Sequence, residues 1–306
     1  MIKEQFAEIL NKTQSNQTAQ WTVDIDGTAY TRIFRPKERL ILLGGGHIAQ
    51  PLCSIAAMLG FGVTVVDDRP PFANHPRFPE AEQIVCDAFP HAIQALEIHE
   101  GDYLAVITRG HRYDADCLRT LLSGTMPKYL GLLGSRRRTI ALLNLLEQEG
   151  FERKKLDAIH TPIGLDIGAL SVQEIAVSIA AQLVQCRRQG LNRRSRSCIL
   201  TEETFSQEVV ADIVEREIPR ALLLVYETSG STPVKSGAFM TVDQNFQAKG
   251  TIGGGCSESA VLREAFHLIG TGERQCVTVN MNHDVAEEEG MVCGGQMKVL
   301  LMDISQ

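Results

Sequence analysis

From Leu40 onward, short continuous apolar runs alternate with stretches of helical spacing. LILL (40–43) leads into three glycines, and behind them Ile48, Leu52, Ile55 and Leu59 fall on one helical face. VTVVDD (63–68), YLAVIT (103–108) and YLGLLG (129–134) read as further strands, with helices predicted over 114–123 and 138–149. A third helix, 172–186, carries Val172, Ile175, Ala176, Ile179 and Leu183 at helical spacing. Strands that are apolar along their whole length must be buried on both faces. That requires a parallel sheet covered by helices on each side. The pattern therefore predicts an α/β fold, with a Rossmann-type parallel sheet domain over 40–186.

The texture changes after residue 200. A helix near 203–215 precedes ALLLVYE (221–227) and GAFMTV (237–242). A second glycine run follows with a helix behind it, then CVTVN (276–280) and MKVLLMD (297–303). These elements predict a smaller mixed α/β domain over 200–306 with several antiparallel strands. Between the two, RRQGLNRRSR (187–196) has no apolar period, and residues 187–199 read as an exposed arginine-rich linker. The opening segment, 1–39, fits neither pattern. It holds a charged amphipathic stretch and a hairpin, WTVDIDGTAYTRIF, turning at Asp26-Gly27.

Composition narrows the function classes. A formal charge of −7 argues against nucleic acid as a partner. The acidity is concentrated in residues 200–306, with 7 basic and 16 acidic side chains. No apolar run approaches the ~18 residues of a membrane span, and MIKEQFAEILNK lacks the apolar core of a signal peptide. A cytoplasmic protein without a membrane partner is expected. The eight cysteines include no CxxC pair, which excludes zinc-ribbon, thioredoxin-type and iron–sulfur frameworks, and most are expected to be small buried hydrophobes.

The first glycine run, Gly44-Gly45-Gly46-His47-Ile48-Ala49, fits G-x-G-x-x-A between a strand and a helix. Gly44 would permit the tight turn, and Gly46 would let a phosphate approach the backbone at the helix N-terminus. Asp67, 23 residues after Gly44, stands where a ribose-binding acid belongs. His47 could contact a ligand or cap the turn. Arg109 and His111 follow one strand; Ser135, Arg136 and Arg137 follow the next. Both clusters fall past strand C-termini, where open α/β sheets bind ligands, and their guanidinium groups suit a phosphate. The competing reading is a tight βα turn with no ligand and a solvated polar surface.

The second run, Gly253-Gly254-Gly255, leaves a main-chain nest open to an anion and places Cys256 near a helix N-terminus, where thiolates are favoured. Glu258 follows, and Cys293 lies in another glycine context, MVCGGQ (291–296). From spacing alone the alternative, two structural cysteines beside tight turns, stays open.

GSTPVKSGAFM (230–240), GTIGGGCSES (250–259) and MVCGG (291–295) resemble the signature of the xanthine dehydrogenase accessory protein family, XdhC/CoxI. LILLGGGHIA, VTVVDDRP, TRGH, YLGLLGSRRR and HTPIGLDIGALSVQEIAVSIAAQLV are similar to that family's Rossmann-type domain, so the resemblance covers nearly all of 40–303. It implies a protein that binds molybdenum cofactor (molybdopterin), keeps it sulfurated and helps insert it into xanthine dehydrogenase or a related molybdenum hydroxylase. A maturation factor is implied rather than a free-standing xanthine dehydrogenase. A cysteine desulfurase and a second copy of the chain are further candidate partners, and a nucleotide or NAD(P) a further candidate ligand. The resemblance adds Ser231 and Thr232 to the cofactor-binding set, and makes Cys256 and Cys293 candidate sulfur carriers or molybdenum ligands. This sequence departs from the family in three places. The glycine-cysteine module follows the Rossmann-type domain instead of preceding it, Val234 replaces an arginine after GSTP, and Ser257 replaces an apolar residue. Two other function classes remain: an NAD(P)-dependent oxidoreductase using the first glycine run, and a non-catalytic nucleotide-binding regulator.

Overall fold

The computed structural model describes residues 2–15, 17–189, 198–200, 207–253, 256–280 and 295–305, with 256 and 257 as backbone only. The chain opens with helix α1 (Ile2–Gln14) and a hairpin of β1 (Ala19–Ile25) and β2 (Thr28–Phe34). Asp26 and Gly27 turn the hairpin, both at positive φ, as a two-residue β-turn of this hand requires.

Next come β3 (Arg39–Leu43), α2 (Ala49–Met58), β4 (Gly62–Val66), β5 (Gln83–Val85), α3 (Phe89–Ala95), β6 (Tyr103–Val106) and α4 (His111–Ser123). This part closes with β7 (Tyr129–Leu132), α5 (Arg136–Gln148), α6 (Arg153–Asp157) and α7 (Val172–Arg188). Beyond it lie β8 (Ile199–Leu200), α8 (Gln207–Glu215), β9 (Arg220–Ser229), β10 (Phe239–Asp243), β11 (Ala248–Gly250), α9 (Cys256–Leu268), β12 (Arg274–Asn280) and β13 (Gln296–Asp303). Among the described residues no helix is long and apolar enough to cross a membrane.

Residues 38–191 form one compact unit. Its sheet runs β5-β4-β3-β6-β7 with every pair parallel. Side chains alternate along each strand, so Leu40 and Leu42 face α2 and α7 while Ile41 and Leu43 face α3, α4 and α5. Both faces are covered, which is why these strands are continuously apolar. Arg187 and Arg188 correct the linker boundary. Both are helical, and Arg187 packs its guanidinium 3.9 Å from the Phe61 ring while donating to the Leu59 carbonyl (2.9 Å). The remainder of the arginine run lies outside the described residues.

The second unit joins residues 1–37 to 192–306. Its antiparallel sheet has the order β11-β10-β9-β13-β12. Leu223, Val225, Val299 and Leu301 pack against Val261 and Ala265 of α9. The opposite face, Leu222, Leu224 and Leu300, is covered by Phe6, Trp21 and Phe34 of the opening segment and by Val209 and Ile213 of α8. The opening segment thus supplies half of the core on one face of a sheet that is encoded two hundred residues later.

A buried ionic network ties α8 to that sheet. Asp212 accepts from Arg220 (2.7 Å), Arg216 (2.9 Å) and the Thr241 hydroxyl (2.9 Å). Burial pushes its carboxyl up, but the hydrogen bonds from Arg216 and Thr241 and the two guanidinium charges outweigh this and hold it below the ordinary carboxylate range. A carboxyl lowered in the folded state contributes fully above its unfolded pKa and loses that contribution as pH falls through the folded value. Stability to urea should therefore fall below about pH 4. Asp212→Asn should cost about 3–5 kcal/mol at neutral pH and flatten that acid limb.

Of the six cysteines described, Cys53, Cys117 and Cys186 are buried, and burial with the nearby Glu80 pushes the Cys53 thiol up to about 12. Cys86 and Cys276 are exposed instead, because one follows and the other lies on an edge strand, β5 and β12.

Candidate functional site

The strand order of the parallel sheet reverses between β3 and β6, so the loops after these strands flank the crevice where such sheets take ligands. Gly44 closes the first turn at φ +121, its N–H donating to the Val66 carbonyl (2.8 Å). A Cβ there would enter the Ile107 carbonyl, so the turn admits only glycine. Gly46 differs: a Cβ on it would have no atom within 4 Å. No main-chain hydrogen bond runs from the N–H groups of Gly46, His47 or Ile48 to the described residues, and α2 starts without a side-chain cap. These donors are available to an anion. His47 is exposed beside them.

The loops after β6 and β7 bring the cations. Thr108 donates to Asp114 (2.6 Å) and to the Gly110 carbonyl (3.1 Å), fixing the start of α4. Burial pushes the Asp114 carboxyl up, against the Thr108 hydrogen bond and the charges of His111 and Arg138. His111 hydrogen-bonds the Arg138 guanidinium, a partner not anticipated for it. Ser135 makes no side-chain cap on α5, and Ser135, Arg136 and Arg137 are exposed.

Asp67 is engaged within the protein. Its side chain is 1% exposed and accepts four hydrogen bonds, from the Gly45 N–H (2.9 Å), the Arg69 N–H (3.1 Å) and the Arg69 guanidinium (2.8 and 3.0 Å). These bonds make Asp67 a latch on the glycine loop. Asp68 is paired to Arg109, which also bonds Tyr113 and lies 3.9 Å over its ring. The segment after β4 completes the clamp on the middle glycine, for Arg77 donates to the Gly45 carbonyl (3.0 Å). A Cβ on Gly45 would enter the Phe72 carbonyl, so Gly45→Ala should destabilise the unit by about 1–3 kcal/mol in urea unfolding.

In the other unit, the motifs meet at one end of the antiparallel sheet. β9 ends there at Ser229, opposite Gln296 at the start of β13; β11 ends there at Gly250, opposite Met240. A Cβ on Gly253 would come within 2.5 Å of Pro233, and one on Gly295 within 2.7 Å of the Ser229 carbonyl. The 251–253 turn and the residue following MVCG thus each pack against the chain at 229–233. Glu258 accepts from the Thr251 hydroxyl (2.9 Å) and the Ile252 N–H (3.3 Å), bracing this turn, and Thr232 donates to the Val234 carbonyl (2.7 Å). Ser231 is exposed. Cys256 is the first residue of α9, while its side chain, Gly254, Gly255 and Cys293 lie outside the described residues. Among the described residues no group of three or more His, Cys, Asp or Glu could hold a metal ion.

Two family models match the chain, the XdhC Rossmann domain over residues 40–183, which spans the first constellation, and the XdhC and CoxI family over residues 213–280, which spans the 230–233 and 251–253 turns and Glu258. The chain belongs to the XdhC/CoxI family. Within it, the chain is 36% identical over 154 residues to a probable xanthine dehydrogenase subunit from Bacillus subtilis (50% of this chain, 44% of that one). It is 28% identical over 168 residues to the molybdenum cofactor insertion chaperone PaoD of Escherichia coli (54% of this chain, 44% of PaoD). A crystal structure of a xanthine dehydrogenase from Bacillus halodurans matches with a TM-score of 0.50 and 34% identity, covering 56% of this chain and 49% of that one. The chain spans less than half the length of the curated relatives it matches. The family matches also place the glycine-cysteine module of this XdhC/CoxI chain after its Rossmann domain.

Proposed function

We propose that this chain binds molybdenum cofactor as cargo and assists its sulfuration and insertion into xanthine dehydrogenase or a related molybdenum hydroxylase. One observation carries the reading: Gly46 opens onto free space beside N–H groups that make no main-chain hydrogen bond to the described residues, and the loops after β6 and β7 at the same end of the sheet carry exposed cations. Such a cradle fits the terminal phosphate of a pterin. The kinship to a chaperone named for molybdenum cofactor insertion supports the same reading. In the other unit, Cys256 heads a helix beside the 230–233 and 251–253 turns. A thiolate in that position suits a sulfur-rich metal centre, and Cys256 or Cys293 would ligate molybdenum or receive persulfide sulfur from a cysteine desulfurase.

His47, Arg109, His111, Ser135, Arg136 and Arg137 orient the phosphate end; Ser231, Thr232 and Glu258 shape the cysteine-bearing turn. The test is activation of a cofactor-free hydroxylase by molybdenum cofactor with and without this chain under anaerobic conditions. Activation should depend on the chain. Equal activation in its absence removes the proposal, and hydride transfer to or from NAD(P) by the chain alone would favour an oxidoreductase.

A further inference from the structure

The four hydrogen bonds on Asp67 bear on what the crevice can hold. In a sheet of this order, the acid after the second strand takes the ribose hydroxyls of a dinucleotide, with the adenosine lying beside the first glycine turn. A carboxylate offers about four lone-pair positions, and here all are used within the protein. The next acid, Asp68, is engaged by Arg109. Arg69 is itself held from both sides, by Asp67 and by the Phe72 ring 3.7 Å from its guanidinium carbon. The Phe72 carbonyl occupies the space over Gly45, and Arg77 ties the same glycine from its carbonyl. The glycine loop is therefore covered at Gly45 and open at Gly46.

We infer that the chain's own Arg69–Phe72 segment fills the nucleoside half of the crevice, so that the site takes a phosphate-ended ligand and rejects one extended by a nucleotide. This rests on the crevice being the cargo site proposed above. It specifies the cargo as the pterin whose phosphate ends the molecule. Arg69 and Phe72 are then specificity-determining residues, acting by occupying space and by saturating Asp67.

Titration calorimetry of the full chain with inorganic pyrophosphate, NADH and NADPH tests this. Pyrophosphate should bind and be weakened by Gly46→Val, and both dinucleotides should bind weaker than pyrophosphate by roughly tenfold or more, because the segment leaves no room for the nucleoside. NADH or NADPH binding as tightly as pyrophosphate, or more tightly, overturns the inference while leaving the crevice as the site. Failure of pyrophosphate to bind, or binding indifferent to Gly46→Val, overturns both the inference and the cargo-site reading.

Discussion

Gly46→Val should weaken cargo binding sharply while leaving the protein nearly as stable as before. The expected loss of affinity for a phosphate-ended ligand is tenfold or more, about 1.4 kcal/mol at the least, since the isopropyl group would stand where the backbone must be approached. The thermal midpoint should move by no more than about 2–4 °C, because nothing lies within 4 Å of the added Cβ. Gly45→Ala gives the reverse pattern, since its Cβ collides with the Phe72 carbonyl. The contrast between neighbouring glycines separates a ligand cradle from a turn that is glycine-rich for folding alone. Unchanged binding in folded Gly46→Val would place the ligand elsewhere.

Cys256→Ala should remove most of the activation of a partner hydroxylase, or most of the molybdenum retained by the chain. If Cys256 were core packing, the same change would lower stability by about 1 kcal/mol and leave retention intact. Cys293→Ala belongs beside it, because the roles of the two cysteines divide only by experiment. Measuring retention and the thermal midpoint on the same variants decides the matter. Normal retention in both would return these cysteines to a structural role.

The parallel sheet was legible because its strands are buried on both faces and read as unbroken apolar runs. β5 and β11 were not, each being three residues long at a sheet edge and at most half-buried. The hairpin of the opening segment shows in its alternation, and β1 is buried at every second residue. Its membership of the second unit depends on Phe6, Trp21 and Phe34 meeting Leu222 and Leu224, which no local pattern encodes. The site divides in the same way. The positions of Gly44, Gly46 and the post-strand cations follow from the motif and the strand ends. The occupation of Asp67 does not, although Arg69 two residues on in DDRPPF offered a signal: a neighbouring guanidinium can neutralise the acid before a ribose reaches it.

The central claim is that this chain carries molybdenum cofactor, and its content after anaerobic purification from cells making the cofactor tests that most directly. Metal analysis and pterin fluorescence should find molybdenum and pterin in equal amounts, both reduced in Gly46→Val and in Cys256→Ala. Protein that carries neither, and takes up neither when the cofactor is supplied without oxygen, would contradict the account.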